Sequence, residues 1–349
     1  MLAQSYVNLG NAFAGIPLMG LSKAYLYRAK QVAIEVDDKG AWSWYYLAGG
    51  MCKAQVGDWE GHAQSMKNCR QVALSHGERR RWEEAQSLHC LAGLLSGQFE
   101  PVDQNDNRYQ QIYESGYRRG VNQTQSWGLC MWLLSALMQG ERKVAKSVAD
   151  KLRPLFFDNM DKFDPVNILE VCAGLSMLSL RDGDLDRSLE LLEPASQEVT
   201  EWGRPSTWRS TVCTYHYTEA TLRLWYQLKI SGSDNQLVIV QKWLIEALAL
   251  MKSHASIFPV AVSRYELVAG WHKALLGNDK KAHAHFKKGL VHAQKYSMLF
   301  DILSIRQANQ HLALEFSSEI EEADHIDIQT FAKQLTVKDI EWVGNWREI

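Results

Sequence analysis

Two groups of arginines are the residues of this chain best suited to binding an anion. Three consecutive arginines begin at Arg79 and are flanked by Glu78 and Glu83, and a second pair occupies residues 118–119. A guanidinium carries several N–H donors in a planar fork that fits a carboxylate or a phosphate. One interpretation is therefore a contact to an acidic peptide or a nucleotide phosphate. The other is a solvated helix face with local ion pairs.

The common catalytic and metal-binding motifs are absent. The sequence has no Gly-x-x-x-x-Gly-Lys-Ser/Thr loop, no His-Glu-x-x-His, no Gly-x-Ser-x-Gly and no Cys-x-x-Cys. The densest histidine group consists of His272, His283, His285 and His292. Its two middle members lie two positions apart on a predicted helix and so point in different directions. We expect no catalytic, cofactor-binding or metal-binding residue, and a protein that is not an enzyme.

Length, composition and charge exclude several other classes. With 349 residues and 46% hydrophobic content the chain can form a folded core, and its net charge of −2 argues against a nucleic-acid partner. The longest strongly apolar run, residues 127–138, has twelve residues, whereas a bilayer span needs about 20. Neither a transmembrane helix nor a signal sequence is predicted, which favours a cytoplasmic protein without a membrane partner.

The cysteines favour the same compartment. The last four of the six, Cys90, Cys130, Cys172 and Cys213, are 40, 42 and 41 residues apart. Regular spacing of this kind places them at similar depths in successive helices, where a free cysteine behaves as a small buried hydrophobic side chain. We therefore expect unpaired, reduced thiols.

A glycine-containing turn recurs about every forty residues along the chain. The glycines of these turns are Gly20, Gly57, Gly97, Gly140, Gly183, Gly232 and Gly277. Glycine just past a helix end supplies the left-handed backbone conformation in which the chain reverses. Apolar stretches with helical periodicity lie between the turns. The period predicts a solenoid of stacked helix pairs, a surface that usually holds a partner.

The first repeat resembles a tetratricopeptide repeat. Its matching positions are Tyr6, Leu9, Gly10, Phe13, Ser22, Leu26 and Ala29. They follow the spacing large-x-x-Leu-Gly-x-x-aromatic, with small, large and small residues on the second helix. The resemblance implies an all-α, tetratricopeptide-like α-α superhelix of about seven helix pairs over residues 1–314.

The two ends of the repeat array differ. Residues 315–335 are acidic and polar, which predicts a linker or a frayed helix. Residues 336–349 begin with Thr336-x-x-Asp339 and predict a terminal helix that covers the last apolar face. The first repeat starts without the polar cap that solenoids normally need, so we expect something else to cover that end.

Positions within the repeat predict where a partner docks. In a tetratricopeptide helix, residues two before, one after and five after the first large position face the concave groove. Counting from Tyr6, Trp82 and Trp127 gives nine positions, and all of them except Val7 and Gly128 are candidate protein-binding residues. They are Gln4, Asn11, Arg80, Glu83, Ser87, Gln125 and Trp132.

Three of these candidates have a specific expected role. The Asn11 amide would hold a peptide backbone, Arg80 would pair with a carboxylate, and Trp132 would supply an apolar anchor. The competing site is the uncapped first helix, where Leu2 and Leu9 join Tyr6 and Phe13 on an apolar face.

Several stretches together resemble one family. They lie at residues 77–86, 116–129, 257–265, 271–277 and 295–312, and the first reads Gly-Glu-Arg-Arg-Arg-Trp-Glu-Glu-Ala-Gln. Their order is similar to the C-terminal tetratricopeptide region of large class III adenylate/guanylate cyclases with an AAA-type ATPase module, a group akin to the soluble adenylyl cyclases. The metal-binding aspartates and phosphate loop of that family have no matching positions here.

The resemblance implies a non-catalytic regulatory or scaffolding domain. Its partner would be a protein or peptide, and the cyclase–ATPase module itself is one candidate. The alternative is a small-molecule sensor domain, as in signalling ATPases or transcriptional regulators that hold an effector in the bore of the superhelix.

Overall fold

The computed structural model describes residues 2–15, 18–36, 39–104, 106–201, 207–312, 328–339 and 346. All regular secondary structure in these ranges is helical, and none of it is strand. The predicted all-α fold class is confirmed. Within the described residues, no helix is both long and apolar enough to cross a membrane.

Sixteen α-helices are present in the described ranges. They are α1 (Leu2–Gly15), α2 (Met19–Glu35), α3 (Lys39–Gln55), α4 (Trp59–Ser75), α5 (Arg79–Ser96), α6 (Arg108–Arg119), α7 (Asn122–Gln139), α8 (Arg142–Phe157), α9 (Pro165–Arg181), α10 (Leu185–Glu201), α11 (Ser210–Ser231), α12 (Asp234–Ile257), α13 (Val262–Leu275), α14 (Asp279–Lys295), α15 (Leu299–His311) and α16 (Ile328–Gln334). Two short 3-10 helices, Met160–Lys162 and Pro259–Ala261, precede α9 and α13.

The helices form two layers. Each helix from α1 to α14 packs against the next helix along the chain, and each odd-numbered helix also packs against the next odd-numbered one. The odd-numbered helices therefore form the inner layer and the even-numbered helices the outer layer. This is the predicted α-α superhelix of seven helix pairs, continued by α15.

Glycine turns join the two helices of a pair at most of the predicted positions. Six of the seven glycines have a positive φ, between 74° and 80°. Gly20 is the exception, because α1 ends at Gly15 and α2 already begins at Met19. The chain therefore reverses before Gly20, and the prediction of a turn there is wrong. Asparagine caps the helix after the third of these turns, since the Asn107 side chain accepts a hydrogen bond from the Gln110 N–H at the start of α6.

Side chains fill the centre of the superhelix. On α9 every residue from Asn167 to Leu180 is buried, which is typical of a helix covered on all sides. The central cavity is lined by residues of α7, α9, α11 and α15 and has a volume of about 20 Å³. That is room for about one water molecule. This cavity is too small for the effector of the alternative hypothesis.

Two parts of the superhelix that are far apart in the sequence contact each other. The indole N–H of Trp59 on α4 donates to the backbone oxygen of Tyr296, 2.7 Å away. On α13, Arg264 Nη2 donates to the Leu94 oxygen of α5 at 2.9 Å. A Cβ atom on Gly97 would lie 2.4 Å from the Phe300 nitrogen, so this close approach requires glycine. Helices α4 and α5 are thereby joined to α13–α15.

The C-terminal segment differs from its prediction. Helix α16 (Ile328–Gln334) lies inside the range predicted as a linker or a frayed helix, and Phe331 and Ala332 are buried on it. Its apolar residues follow a helical spacing among polar ones, which the acidic character of the preceding residues obscured. Residues 337–339 are not helical. Residues 313–327, 340–345 and 347–349 lie outside the described ranges, together with most of the predicted terminal helix.

Two contacts join the described residues after α16 to helices α7 and α13. The Lys338 N–H donates to the Gln139 oxygen at 2.8 Å. Trp346 is fully buried and stacks on Trp271 of α13, with ring centroids 5.5 Å apart.

All six cysteines are buried and unpaired, as predicted. Burial raises the pKa of the Cys69, Cys90 and Cys172 thiols to about 12. The thiols are therefore neutral at physiological pH and behave as core side chains.

Buried His254 gives a pH-dependent stability that can be measured. It bridges α12 to Ser210 of α11, with Nε2 2.8 Å from the hydroxyl, and burial lowers its pKa to about 4. Because the unfolded histidine titrates near 6.5, the unfolded state takes up a proton between pH 6.5 and 4 that the folded state does not. The contribution of His254 to stability is complete above pH 6.5 and falls as the pH decreases.

We expect His254→Gln to have a flatter pH dependence than the unchanged chain. The free energy of unfolding is measured in urea at pH 7 and at pH 4.5 for both proteins. Its decrease between the two pH values should be about 2 kcal/mol smaller in the variant than in the unchanged chain. Identical pH slopes for the two proteins would contradict the burial of a neutral His254.

Candidate protein-binding site

One of the predicted groove residues of α5, Glu83, is a buried carboxylate. Glu83 has no exposed surface and accepts hydrogen bonds from Ser115 Oγ (2.6 Å) and Arg119 Nη1 (2.8 Å) of α6. The Thr124 hydroxyl of α7 lies 3.4 Å from the same carboxylate. Glu83 thus joins three helices and is not available to a partner.

The two arginine groups of the sequence come together at this carboxylate. Arg119 pairs with Glu83, while Arg80 pairs with Glu84 at 3.1 Å and stacks over the Trp127 ring at 4.6 Å. Arg81 lies over the Trp44 ring. The observed contacts are local ion pairs and cation–π contacts. They agree with the interpretation of the arginines as a helix face with local ion pairs.

The remaining predicted residues do not form one surface. Ser87 and Gln125 are buried, and the Ser87 hydroxyl bonds to the Glu83 oxygen of its own helix. Trp132 is half-buried and donates from its indole to the Val102 oxygen at 3.0 Å. Gln4 is exposed on α1, away from the others. The Asn11 side chain lies outside the described residues.

An open groove occurs instead between α2 and α3. Its volume is about 690 Å³, within the range of ligand pockets. Hereafter the α2–α3 groove denotes this site. Its lining residues are Lys23, Leu26, Tyr27, Lys30, Tyr45, Gly49, Cys52, Lys53, Val56 and Asp58.

Gly49 keeps the floor of the α2–α3 groove open. It lies in the middle of α3, and a Cβ atom built there would have no heavy atom within 4 Å. Glycine inside a helix costs about 0.5–1 kcal/mol relative to alanine. The adjacent Tyr45 is half-buried, and burial raises the pKa of its phenol. The floor is therefore apolar and uncharged.

Lysines stand at the edges of the α2–α3 groove. Lys23 and Lys30 are two helical turns apart on α2, and neither forms an ion pair with a carboxylate of the described residues. Lys53 of α3 donates to the Gly61 oxygen at 3.2 Å and to Ser65 Oγ at 3.0 Å. The Asp58 carboxylate caps α4 by accepting from the Gly61 N–H. The edges thus carry a net positive charge.

Exposed apolar side chains surround this part of the chain. The large hydrophobic residues exposed within α1–α4 and their connections are Leu2, Leu9, Leu18, Leu21, Tyr27, Ile34, Val36, Val56 and Leu74. Leu2 and Leu9 lie on the first helix, the competing site of the sequence analysis, but Phe13 stacks on Tyr25 at 5.3 Å and is partly covered. The first four helices present more apolar surface than a solvated helix face requires.

Among the described residues, no group of three or more histidine, cysteine, aspartate or glutamate side chains could hold a metal ion.

Comparisons with known proteins give information about the fold only. No family model matches the chain, and no relative is found among the curated proteins. A solved structure of an IFIT1 monomeric mutant with m7Gppp-AAAA is similar, with a TM-score of 0.50 and 13% identity over 98% of this chain and 69% of that one. The same protein with Gppp-AAAA gives a TM-score of 0.49, 13% identity and coverage of 96% and 68%.

A circular tandem repeat protein covers 98% of this chain at a TM-score of 0.26 and 13% identity. At 13% identity the likeness to the first IFIT1 structure, with its TM-score of 0.50, supports a helical repeat fold and nothing beyond the fold. It does not assign a ligand.

Proposed function

We propose that this chain is a regulatory or scaffolding helical-repeat domain that binds a protein partner in the α2–α3 groove. The observation that carries the proposal is an open groove of about 690 Å³ with an apolar floor and lysines at its edges. It replaces the concave groove of the sequence prediction, because Glu83, Ser87 and Gln125 are buried there.

The partner segment that best fits this groove is an acidic amphipathic helix. Apolar side chains at helical spacing would pack on Leu26, Tyr27 and Tyr45, as in helix-in-groove recognition. Acidic residues beside them would meet Lys23 and Lys30, which lie about 10 Å apart along α2. These lysines have no internal carboxylate partner among the described residues, so a bound acidic helix would complete their charge pairing.

The partner class that the sequence favours is a signalling ATPase. The motifs between residues 77 and 312 resemble the repeat tail of cyclase–ATPase proteins, and the module they regulate is the first candidate. The alternative function is to hold an effector in the bore, and the central cavity there measures only about 20 Å³. A regulator that docks a neighbouring protein module is therefore the function that we propose.

A designed peptide tests the groove. The probe is a fluorescent 16-residue helical peptide with leucines at i, i+3, i+4 and i+7 flanked by glutamates, and its control carries lysine at every glutamate position. By fluorescence anisotropy we expect the glutamate peptide to bind at least ~10-fold more tightly, or about 1.4 kcal/mol. The Lys23→Glu/Lys30→Glu variant should reverse this preference.

A matched pair of glycine variants locates the peptide. Gly49→Trp should fill the groove and weaken binding at least ~10-fold, whereas Gly20→Trp is the control. Gly20 also has no heavy atom within 4 Å of an added Cβ, but it does not line the groove. Equal binding by the two variants, or equal affinity for the two peptides, would refute the proposal.

A further inference from the structure

A second groove, lined by cationic side chains, lies over α5 between α4 and the start of α6. Its volume is about 640 Å³. Lys67 and Arg70 of α4, His89 of α5 and Arg108 of α6 line one end, hereafter the Arg70–Arg108 site. The far end, with Asp58 and Glu60, adjoins the α2–α3 groove. Glu60 lies ten positions from Arg70 along α4, about 15 Å away.

The positive charge of the Arg70–Arg108 site is only partly neutralised. Arg108 pairs with Glu100, which also lies 3.9 Å from His89 Nε2. Among the described residues, no carboxylate forms an ion pair with Lys67 or Arg70. Lys67, Arg70 and Arg108 are positively charged and Glu100 is negatively charged, so the net charge of the site is about +2.

The polar atoms of the site are enclosed without partners. Arg70 Nη1 and His89 Nδ1 are both buried and have no hydrogen-bond partner. A buried donor of this kind costs about 1–3 kcal/mol, and more when it is charged. Each of the two side chains therefore has one buried atom beside the groove whose hydrogen-bonding capacity is unused.

The cationic groups also repel one another. Burial and the charge of Arg108 lower the pKa of Arg70. Burial, then Arg108 and Arg70, lower the pKa of His89 to about 3. A bound anion would relieve this repulsion, since it would place negative charge between the two guanidinium groups.

We propose that Lys67, Arg70, His89 and Arg108 bind the phosphate group of a small phosphate monoester. Such a group carries a charge of about −1.5 to −2 at pH 7 and has three acceptor oxygens, which matches the net charge of the site. Arginine forks recognise these oxygens in pairs of hydrogen bonds. The rest of the groove has room for the organic part of the molecule, and ordinary ligand pockets measure about 300–1,000 Å³.

Calorimetric titration of the full chain with AMP, inorganic phosphate and acetate tests the site. We expect AMP and phosphate to bind at least ~10-fold more tightly than acetate, because acetate carries one charge. Tighter binding of AMP than of phosphate would assign the site to the ester, and equal binding would assign it to free phosphate. Equal binding of phosphate and acetate would overturn the proposal.

Variants place the anion at this site and separate it from the α2–α3 groove. Arg70→Gln should weaken AMP or phosphate at least ~10-fold, while Arg153→Gln, which removes an arginine paired with Asp150 on α8, should not. Gly49→Trp should leave anion binding unchanged even if peptide binding is lost. Unchanged affinity in Arg70→Gln would refute the site.

A spectroscopic readout does not depend on any variant folding. In proton NMR spectra at pH 7, the ring protons of His89 should shift when phosphate is added, because the anion would lie beside the ring. Unchanged His89 shifts at saturating phosphate would show that phosphate binds elsewhere.

Discussion

Replacing Arg264 with methionine should lower the free energy of unfolding by about 3–5 kcal/mol. Arg264 Nε lies 2.5 Å from Asp301 Oδ1, and both side chains are almost completely buried. The same guanidinium donates to the Leu94 oxygen and lies 4.4 Å from the Tyr215 ring. The substitution would leave the Asp301 carboxylate in the core, and its one remaining side-chain partner in the described ranges would be the Ser263 hydroxyl.

Urea denaturation followed by circular dichroism measures this loss, and a double variant provides its control. Arg264→Met/Asp301→Leu removes both charges, so it should recover most of the stability. A loss below about 1 kcal/mol in the single variant would match an exposed ion pair. That result would contradict the closure of α13 and α15 onto α5.

The second large effect is expected at Glu83. Glu83→Ala should cost about 3 kcal/mol, because it removes the acceptor of Ser115, Arg119 and Thr124 in one step. Arg80→Ala should cost less than about 1 kcal/mol, because its pair with Glu84 is partly exposed.

The same urea experiment compares the two substitutions on neighbouring turns of α5. Similar losses for Glu83→Ala and Arg80→Ala would mean that Glu83 is not a structural carboxylate. In that case its original assignment to a partner-binding groove would again be the better explanation.

The repeat architecture was predictable because it depends on local signals. Glycine at a helix end acts within a few residues of its own turn, and six of the seven predicted glycines have the expected positive φ. A turn was predicted at Gly20 because its spacing fits the period. The chain reverses before this residue. Helix α16 was missed because Phe331 and Ala332 give it a short apolar face beside a strongly acidic stretch.

The site could not be predicted as well, since it depends on contacts between distant residues. Counting repeat positions placed Glu83 in an open groove, but Arg119, 36 residues later, folds onto it. The signal for the α2–α3 groove was present in part. Leu21, Tyr27 and Ile34 lie on α2 outside its buried face, and Gly49 interrupts a helix without being required by a turn.

Hydrogen exchange measured with the glutamate peptide bound reports which helices a partner helix docks on. Mass spectrometry should show slower exchange in residues 19–35 and 39–55, the helices of the α2–α3 groove, with no change when the lysine peptide is used. Protection confined to α5 and α7 would place the partner at the groove of Arg80 and Trp132. Protection confined to α1 would place it on the first helix, and either result would contradict the α2–α3 groove.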